Sequence, residues 1–553
     1  MFGVFNAVPR LNTEKTGDIA LFAGQAEEAA RQGCGEFISS GRQGRQLQVL
    51  VAHQKQFVLG PQAVRVRPEW QAFQLADGLV LSLCPKLRAS RLRSKDGKEH
   101  FLLGLAVLAD TPGSSIEQTF ASKHSWDIEE WTGFWAGKWA LISAERCLQD
   151  AAGLLGIYHR RTGGDLWISS SPAILGGYLP GVAPAARLPW KIAHEKGMDW
   201  IPAPLTTREN VFKLLALRTI EPRSGAIRPV RFSPAGGNGA DKDIRMLSSA
   251  LRTVMGNWGG LAFRQRVVGL TAGFDTRTVL AAAKAADVTF ETFTEIHPLL
   301  GRADREMPPR LAARIGIPHS FRDDPELGVD EVRAREAAII AHMDRAVFHP
   351  TAAMCASGRA DHMHDPGLTI AAGHGFEIGR CAQWARFFRS GLTERAPTPG
   401  NLLRAFFHAR PTPLSLWMDA MTAWQGSLAD PVALDLDWRD RFYLEQRFGA
   451  WASTVQRTLD VLDGHFFYPA NCLWIGHLLL QYSPRERRMG FAQRSAIQVL
   501  APPLTELPFN PEPVRTRVRK KLAMAYLLTK RAVLLMPVPN PFKSTTGNET
   551  APT

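Results

Sequence analysis

Cysteine is scarce in this chain, and what there is stands apart. The six residues, Cys34, Cys84, Cys147, Cys355, Cys381 and Cys472, form no Cys-x-x-Cys pair. That spacing argues against a zinc ribbon or a disulfide framework and suits reduced thiols, so we expect a cytoplasmic protein. Residues 1–17 lack a charged start followed by an apolar stretch, so no secretory signal is expected. No uninterrupted apolar run reaches the length of a membrane span, and no fixed-period repeat is found. Acidic charge is also in deficit: 52 Asp and Glu against 66 Lys and Arg give a formal charge of +14. Such a balance favours an acidic partner, whether nucleotide, nucleic acid, anionic lipid or protein. The arginines are scattered, however, with no aromatic-interleaved basic run before the C-terminus, so nucleic acid is not expected. A hydrophobic content of 45% is ordinary for a globular protein, and 553 residues suffice for two or three domains.

The stretch Arg266-Val267-Val268-Gly269-Leu270-Thr271-Ala272-Gly273-Phe274-Asp275-Thr276-Arg277 carries the clearest chemistry. Arg266 to Leu270 reads as a short buried strand, and from Arg277 onward Val279, Leu280 and Ala283 among alanines read as a helix. Between them lies a tight turn of small residues. A strand, a turn and a helix in that order leave backbone N–H groups at the positive end of the helix dipole, where an anion binds. Asp275 is out of place there unless a cation separates it from the anion, the usual construction of a magnesium-nucleotide site. The turn has no Walker lysine, which excludes the ordinary P-loop. A second strand from Val288 to Thr294 follows at βαβ spacing.

This turn resembles the pyrophosphatase loop of the asparagine synthetase family, Ser-Gly-Gly-x-Asp-Ser. Thr271 stands for the first Ser, Ala272 and Gly273 for the glycines, Asp275 for the Asp and Thr276 for the last Ser. Downstream, Asp304 and the run Leu311 to His319 look like the family's next helix and its exit. Thr369-Ile370-Ala371-Ala372-Gly373-His374-Gly375-Phe376-Glu377-Ile378 resembles the family's Gly-x-Gly-x-Asp-Glu loop, with Glu377 on the Asp position and Ile378 replacing the Glu. Glu is as hard an oxygen ligand as Asp, so metal binding is compatible with the exchange. The resemblance implies ATP and Mg2+ as cofactors, Asp275 and Glu377 as catalytic metal ligands, and a nucleotide site at Leu270, Thr271, Ala272, Gly273, Thr276, Thr294, Gly373 and Gly375.

Residues 1 to about 185 read as β-rich, with short segments such as Leu47 to Val51, Ala63 to Arg67 and Leu79 to Leu83. Leu102 to Leu108 is a continuous apolar run, as expected of a strand covered on both faces. Gly133 to Ile142, the turn Asp150-Ala151-Ala152-Gly153, then Ile157-Tyr158-His159 and Trp167 to Ser171 resemble the second half of the family's glutaminase domain. The family's nucleophile is Cys at position 2, but here Phe2 stands there, and a benzyl group cannot attack an amide. The expected fold is therefore α/β: a degenerate glutaminase-like (αββα) domain at 1–185, a linker at 186–235, and a parallel-sheet ATP-pyrophosphatase domain with added helices at 236–513. Within the last, Arg245 to Trp258 reads as an amphipathic helix, and Asp437 caps a long helix with a core stripe from Phe442 to Leu462.

Two departures bear on chemistry. Ser483 to Arg494 carries Arg485, Arg487, Arg488 and Arg494 where the family places its catalytic lysine; arginine stays charged and makes a poor proton donor or base. Tyr468-Pro469-Ala470-Asn471 falls where the family has Pro-Phe-Leu-Asp. The cluster Asp361, His362, His364 and Asp365 lacks firm metal-ligand spacing and reads as a polar loop. His374 reads equally as a functional group or as a backbone hydrogen-bond donor. Residues 514–553 comprise a basic amphipathic helix candidate, 514–536, and a disordered tail; docking on its own domain is the preferred reading of the helix and membrane-surface contact the other. The resemblance implies a ligase that adenylates a small-molecule or peptide carboxylate and passes it to ammonia or an amine, with an amine donor protein among its partners. A macrolactam or lasso-peptide cyclase and a non-catalytic scaffold are the alternatives.

Overall fold

The computed structural model describes residues 52–190, 199–233, 244–297, 300–322, 328–346, 362–384, 387, 397–406, 415–434 and 436–511. Phe2, Cys34, the expected strand at 47–51, Cys355, Asp361 and the basic segment 514–536 lie outside them. The described residues up to Phe509 form one compact unit.

The architecture is mixed α/β, with two antiparallel sheets followed by a parallel one. The first antiparallel sheet has six strands in the order Phe212–Lys213, Tyr158–Thr162, Asp165–Ser169, Phe57–Gly60, Val80–Leu83, Gln71–Gln74. The second has the order Ile227–Pro229, Arg218–Ile220, Cys147–Gln149, Trp135–Ile142, Glu99–Leu108, Ala89–Arg93. Phe57, Leu59 and Leu81 of one share a core with Phe101, Leu103, Ala140 and Ile142 of the other. The opposite face of the second sheet, with Leu102, Val107, Trp135 and Trp139, packs on Leu247, Leu251, Val254 and Trp258 of the helix Ile244–Gly259. Apolar neighbours on both sides explain why Leu102 to Leu108 shows no alternation. Strands at 212–213, 218–220 and 227–229, in the stretch read from sequence as a linker, extend both sheets.

The parallel sheet has five strands: Gln265–Gly269, Glu291–Glu295, His319–Arg322, Leu368–Ala371 and His465–Phe467. Across the sheet they run third, second, first, fourth, fifth, and every pairing is parallel. The chain thus builds outward from the first strand on one side, then returns to build on the other. This reversal puts a crevice beyond the carboxyl ends of the first and fourth strands, where open α/β sheets take ligands. Helices Ile244–Gly259, Phe274–Ala285 and Phe491–Leu500 pack together beside it. The long helical stretch after Asp437 runs through Trp438–Phe442, a wide π-turn segment Tyr443–Ala452 and Ser453–Thr458, with Asp437 accepting from the Arg439 N–H. Phe442, Phe448, Val455, Leu459 and Leu462 are buried, as their spacing predicts, and Trp451 is half-buried.

Candidate functional site: two glycine turns at the strand-order reversal

The first strand ends at Gly269, and Leu270 closes the core behind the turn. Thr294, at the end of the second strand, donates its hydroxyl to the Leu270 carbonyl at 2.7 Å, so the two strand ends are fixed to each other. Thr271 to Gly273 then deliver the chain into the helix Phe274–Ala285, whose cap, Gly273, supplies no side-chain hydrogen bond. Its first-turn amides are therefore left at the positive end of the dipole. Ala272 is buried in the core, where a small aliphatic residue serves. Thr271 and Thr276 close the turn: the Thr271 N–H donates to Thr276 Oγ1 at 3.1 Å, and the hydroxyls lie 2.9 Å apart. The Gly273 N–H donates to Thr271 Oγ1 at 3.3 Å and the Ala272 N–H to Asp304 Oδ1 at 2.8 Å. The three turn amides are thus already met by the chain's own side chains, which leaves the helix's own first-turn amides at the positive end of its dipole.

The fourth strand leads through Ala372, Gly373, His374 and Gly375 into a short 3-10 turn, Phe376–Arg380. Gly373 lies against the first turn: a Cβ there would sit 2.7 Å from the Thr276 nitrogen and 2.8 Å from the Asp275 carbonyl carbon. Only glycine lets the two backbones touch. Gly375 adopts φ 98°, the left-handed region that turns the chain back and aims Glu377 at its own Gly375 N–H, which donates to Oε2 at 2.8 Å. Tyr443 of the wide helical segment donates its hydroxyl to the same oxygen at 2.8 Å. Burial and the adjacent Glu377 hold that phenol well above its ordinary pKa, so it remains a donor. Asp275 and Glu377, 102 positions apart in the chain, are thereby brought to one place, as are Thr271, Gly273, Thr276, Gly373 and Gly375.

The cation beside these acids is supplied by the chain. Arg380 donates Nε to Asp275 Oδ1 at 2.9 Å and Nη2 to Asp275 Oδ2, a two-point pair. Burial pushes Asp275 up to about 6; Arg380 opposes that shift and Glu377 adds to it. The pair is about one-quarter exposed on the arginine side. Among the described residues, Arg380 Nη1 makes no hydrogen bond. Both Asp275 oxygens accept from Arg380 and one Glu377 oxygen accepts from Tyr443 and the Gly375 N–H, so an ion between the two acids would share these oxygens with the chain's own donors. Among the described residues no group of three or more His, Cys, Asp or Glu is placed to hold a metal ion.

Sequence reasoning gave Arg380 no role, although it stands three residues after Glu377, one helical turn away. Other arginines also take structural places. Arg487 pairs with Asp440 (2.9 and 2.7 Å) and donates Nε to the Ile378 carbonyl at 3.1 Å, which fixes the second turn from behind. Arg485 and Arg488 are exposed. Arg277, fully buried, donates to the carbonyls of Ala272, Leu504, Leu507 and Pro508 and lies 4.0 Å from the Phe509 ring centroid. Phe509 stacks on Phe274 at 4.4 Å, so the start of the helix is clamped. Burial holds His374 neutral, down to about 3, with its ring edge-on to Tyr468 at 5.9 Å. Asn471 spans the two halves, donating to Asp150 Oδ1 and the Gly137 carbonyl, both at 2.6 Å, and accepting from the Ala152 N–H at 3.0 Å. In the histidine-rich loop, Asp365 pairs with Arg264 and His362 packs edge-on to Phe293.

Fold and site together define a doubly wound parallel sheet with two backbone turns meeting at its strand-order reversal. No family model and no curated protein matches this chain. Among solved structures it is similar to a glutamine-dependent NAD+ synthetase from Acinetobacter baumannii, in complex with adenosine diphosphate, at 14% identity and a TM-score of 0.14. The match covers 25% of this chain and 28% of that one, and a likeness of this size carries no argument about activity. No helix among the described residues is long and apolar enough to cross a membrane.

Proposed function

We propose that the crevice binds the phosphates of ATP and that the chain is an asparagine synthetase-like, AMP-forming carbon–nitrogen ligase. The observation that carries this reading is the contact of the two turns, with Gly373 against the backbone of Asp275 and Thr276. In the reaction proposed, a substrate carboxylate attacks the α-phosphorus of ATP, pyrophosphate departs, and an amine or ammonia displaces AMP from the acyl-adenylate. The first-turn amides of Phe274–Ala285 and Arg380 Nη1 are the donors we assign to the negative charge that develops on the pyrophosphate. Asp275 holds that guanidinium in its plane, and Glu377, anchored by Tyr443, fixes the second turn. Magnesium enters only as an ion carried with the nucleotide; for Asp275 to ligate it, the carboxylate would share its oxygens between Arg380 and the ion. The antiparallel half, in the same reading, is a glutaminase-like fold, and the amine is supplied from outside it.

The second reading is a synthetase-like scaffold without catalysis. It is favoured by the acceptors that already occupy the Thr271, Ala272 and Gly273 amides. Pyrophosphate release, followed with ATP and a panel of small carboxylic acids and peptides, separates the two. Acid-dependent release lost in Gly373→Ala supports the ligase. ATP binding without release from any acid or peptide supports the scaffold.

A further inference from the structure

On the amino side of the fifth parallel strand, away from the two turns, a cavity of about 30 Å³ opens between the antiparallel and parallel halves. Its floor holds Lys55 and Lys138, both buried, and its mouth holds the exposed Lys86 and Arg88. The parallel half contributes Asp460 and His465.

The charges here do not balance. Lys138 Nζ pairs with Asp460 Oδ1 at 2.6 Å, and the buried Arg457 lies 3.8 Å from the other oxygen of the same carboxylate. Lys86 pairs with Asp463 at 2.9 Å. Lys55 has no carboxylate: its ammonium donates to the Asp463 and Gly464 carbonyls at 3.1 and 2.8 Å. Arg88 stands over the Phe263 ring. Five cations thus stand against three acids, the third being the buried Asp150, whose charge also acts on Lys138. His465 adds no charge, because burial and the surrounding cations push it down to about 3. Burial also brings Lys55 down to about 8, with Asp460 and Asp463 opposing that shift and Lys138 and Lys86 adding to it. An excess of buried positive charge is costly, and a cavity beside it supplies a place where an anion would offset that cost.

We infer that this cavity between the halves is a binding site for a compact monoanion of carboxylate or halide size, held by Lys55 and Lys138 and admitted past Lys86 and Arg88. The volume has room for about two water-sized molecules, which suits formate or chloride. Four of the cations come from the antiparallel half, and Asp460 and Asp463 from the parallel half, so the bound anion ties the two together. The inference does not depend on the crevice being an ATP site.

The test is thermal unfolding of the full chain in sodium formate, sodium chloride and the bulkier sodium isethionate at equal ionic strength. Formate or chloride should raise the Tm saturably, by about 3 °C or more, while isethionate leaves it flat. Lys55→Met should raise the Tm in isethionate, since it removes an unpaired buried charge, and abolish the formate and chloride response. Parallel curves in the three salts, or a formate response retained in Lys55→Met, would overturn the inference. Should Lys55→Met fail to fold, bromide-soaked crystals of the unaltered chain decide. An anomalous peak between Lys55 and Lys138 supports the site, and its absence refutes it.

Discussion

Arg380→Met keeps most of the arginine's volume and removes the charge that faces Asp275. Breaking a buried ion pair from one side costs about 3–5 kcal/mol when the remaining charge stays ionised. The two side chains are 26% and 18% exposed, which places this pair at the lower end, about 3 kcal/mol. Asp275 has a way out, because burial already lifts it to about 6 with Arg380 present, and loss of Arg380 lifts it further. Its folded pKa lies above its unfolded value of 3.8, so the folded state binds the extra proton and the wild-type contribution falls as pH rises through 4 to 6. At pH 5 the carboxyl is mostly neutral with or without Arg380, and the variant should lose only about 1 kcal/mol, the worth of the hydrogen bonds. At pH 8 the full loss of about 3 kcal/mol should show. Denaturant unfolding at the two pH values measures both. Adding Asp275→Asn to Arg380→Met should remove the pH dependence and recover most of the loss at pH 8. An equal loss at pH 5 and pH 8, or a double variant no more stable than Arg380→Met at pH 8, would refute the pairing.

Gly373→Ala places a methyl 2.7 Å from the Thr276 nitrogen, where only backbone can yield; we expect a loss of about 1–3 kcal/mol and a drop of at least about tenfold in ATP affinity, read by calorimetry. Arg487→Met should cost about 3–5 kcal/mol by leaving Asp440 buried and unpaired, and Arg487→Lys should recover little, since lysine cannot reproduce the fork to Asp440 and Ile378; unfolding curves report both. Thr276→Val keeps the shape and removes the acceptor for the Thr271 N–H, an expected loss of about 1–2 kcal/mol in the same assay. Incubation with glutamine should release no glutamate, because Phe2 offers no nucleophile; turnover lost in Cys34→Ala would overturn that expectation.

The elements of the parallel sheet were legible because each is written locally. Val267 and Val268 before small turn residues, and Leu247 to Trp258 at helical spacing, give their periods within a few residues, and the structure places them within a residue or two of those bounds. The helix after the first turn starts three residues earlier than Arg277, because Gly273 ends the turn and Phe274 is already clamped by Phe509. The juxtaposition of Asp275 and Glu377 followed from two similar turns on strands that prove adjacent. What was not legible depends on partners far away in the chain. Arg380 reaches Asp275 across 105 positions, and Tyr443 reaches Glu377 across 66, with no periodicity to announce either. Asn471, on the family's Asp position, staples Asp150 and Gly137 with its amide across 321 and 334 positions. The strand at 218–220, whose edges carry charge and proline, takes its place from the pairing of Ile220 with Cys147.

The central claim is that the two turns together form one nucleotide site whose resident cation is Arg380. It is tested most directly by ATP titration, by calorimetry, of wild type, Arg380→Met, Asp275→Asn and Gly373→Ala, each in magnesium and in EDTA. The account predicts saturable binding to wild type in both media and a loss of at least about tenfold in each variant, with the Asp275→Asn and Arg380→Met losses non-additive because the residues act as one unit. No binding to wild type, or binding indifferent to substitution in both turns, would contradict it; binding only in magnesium would show that Arg380 gives Asp275 up to the ion.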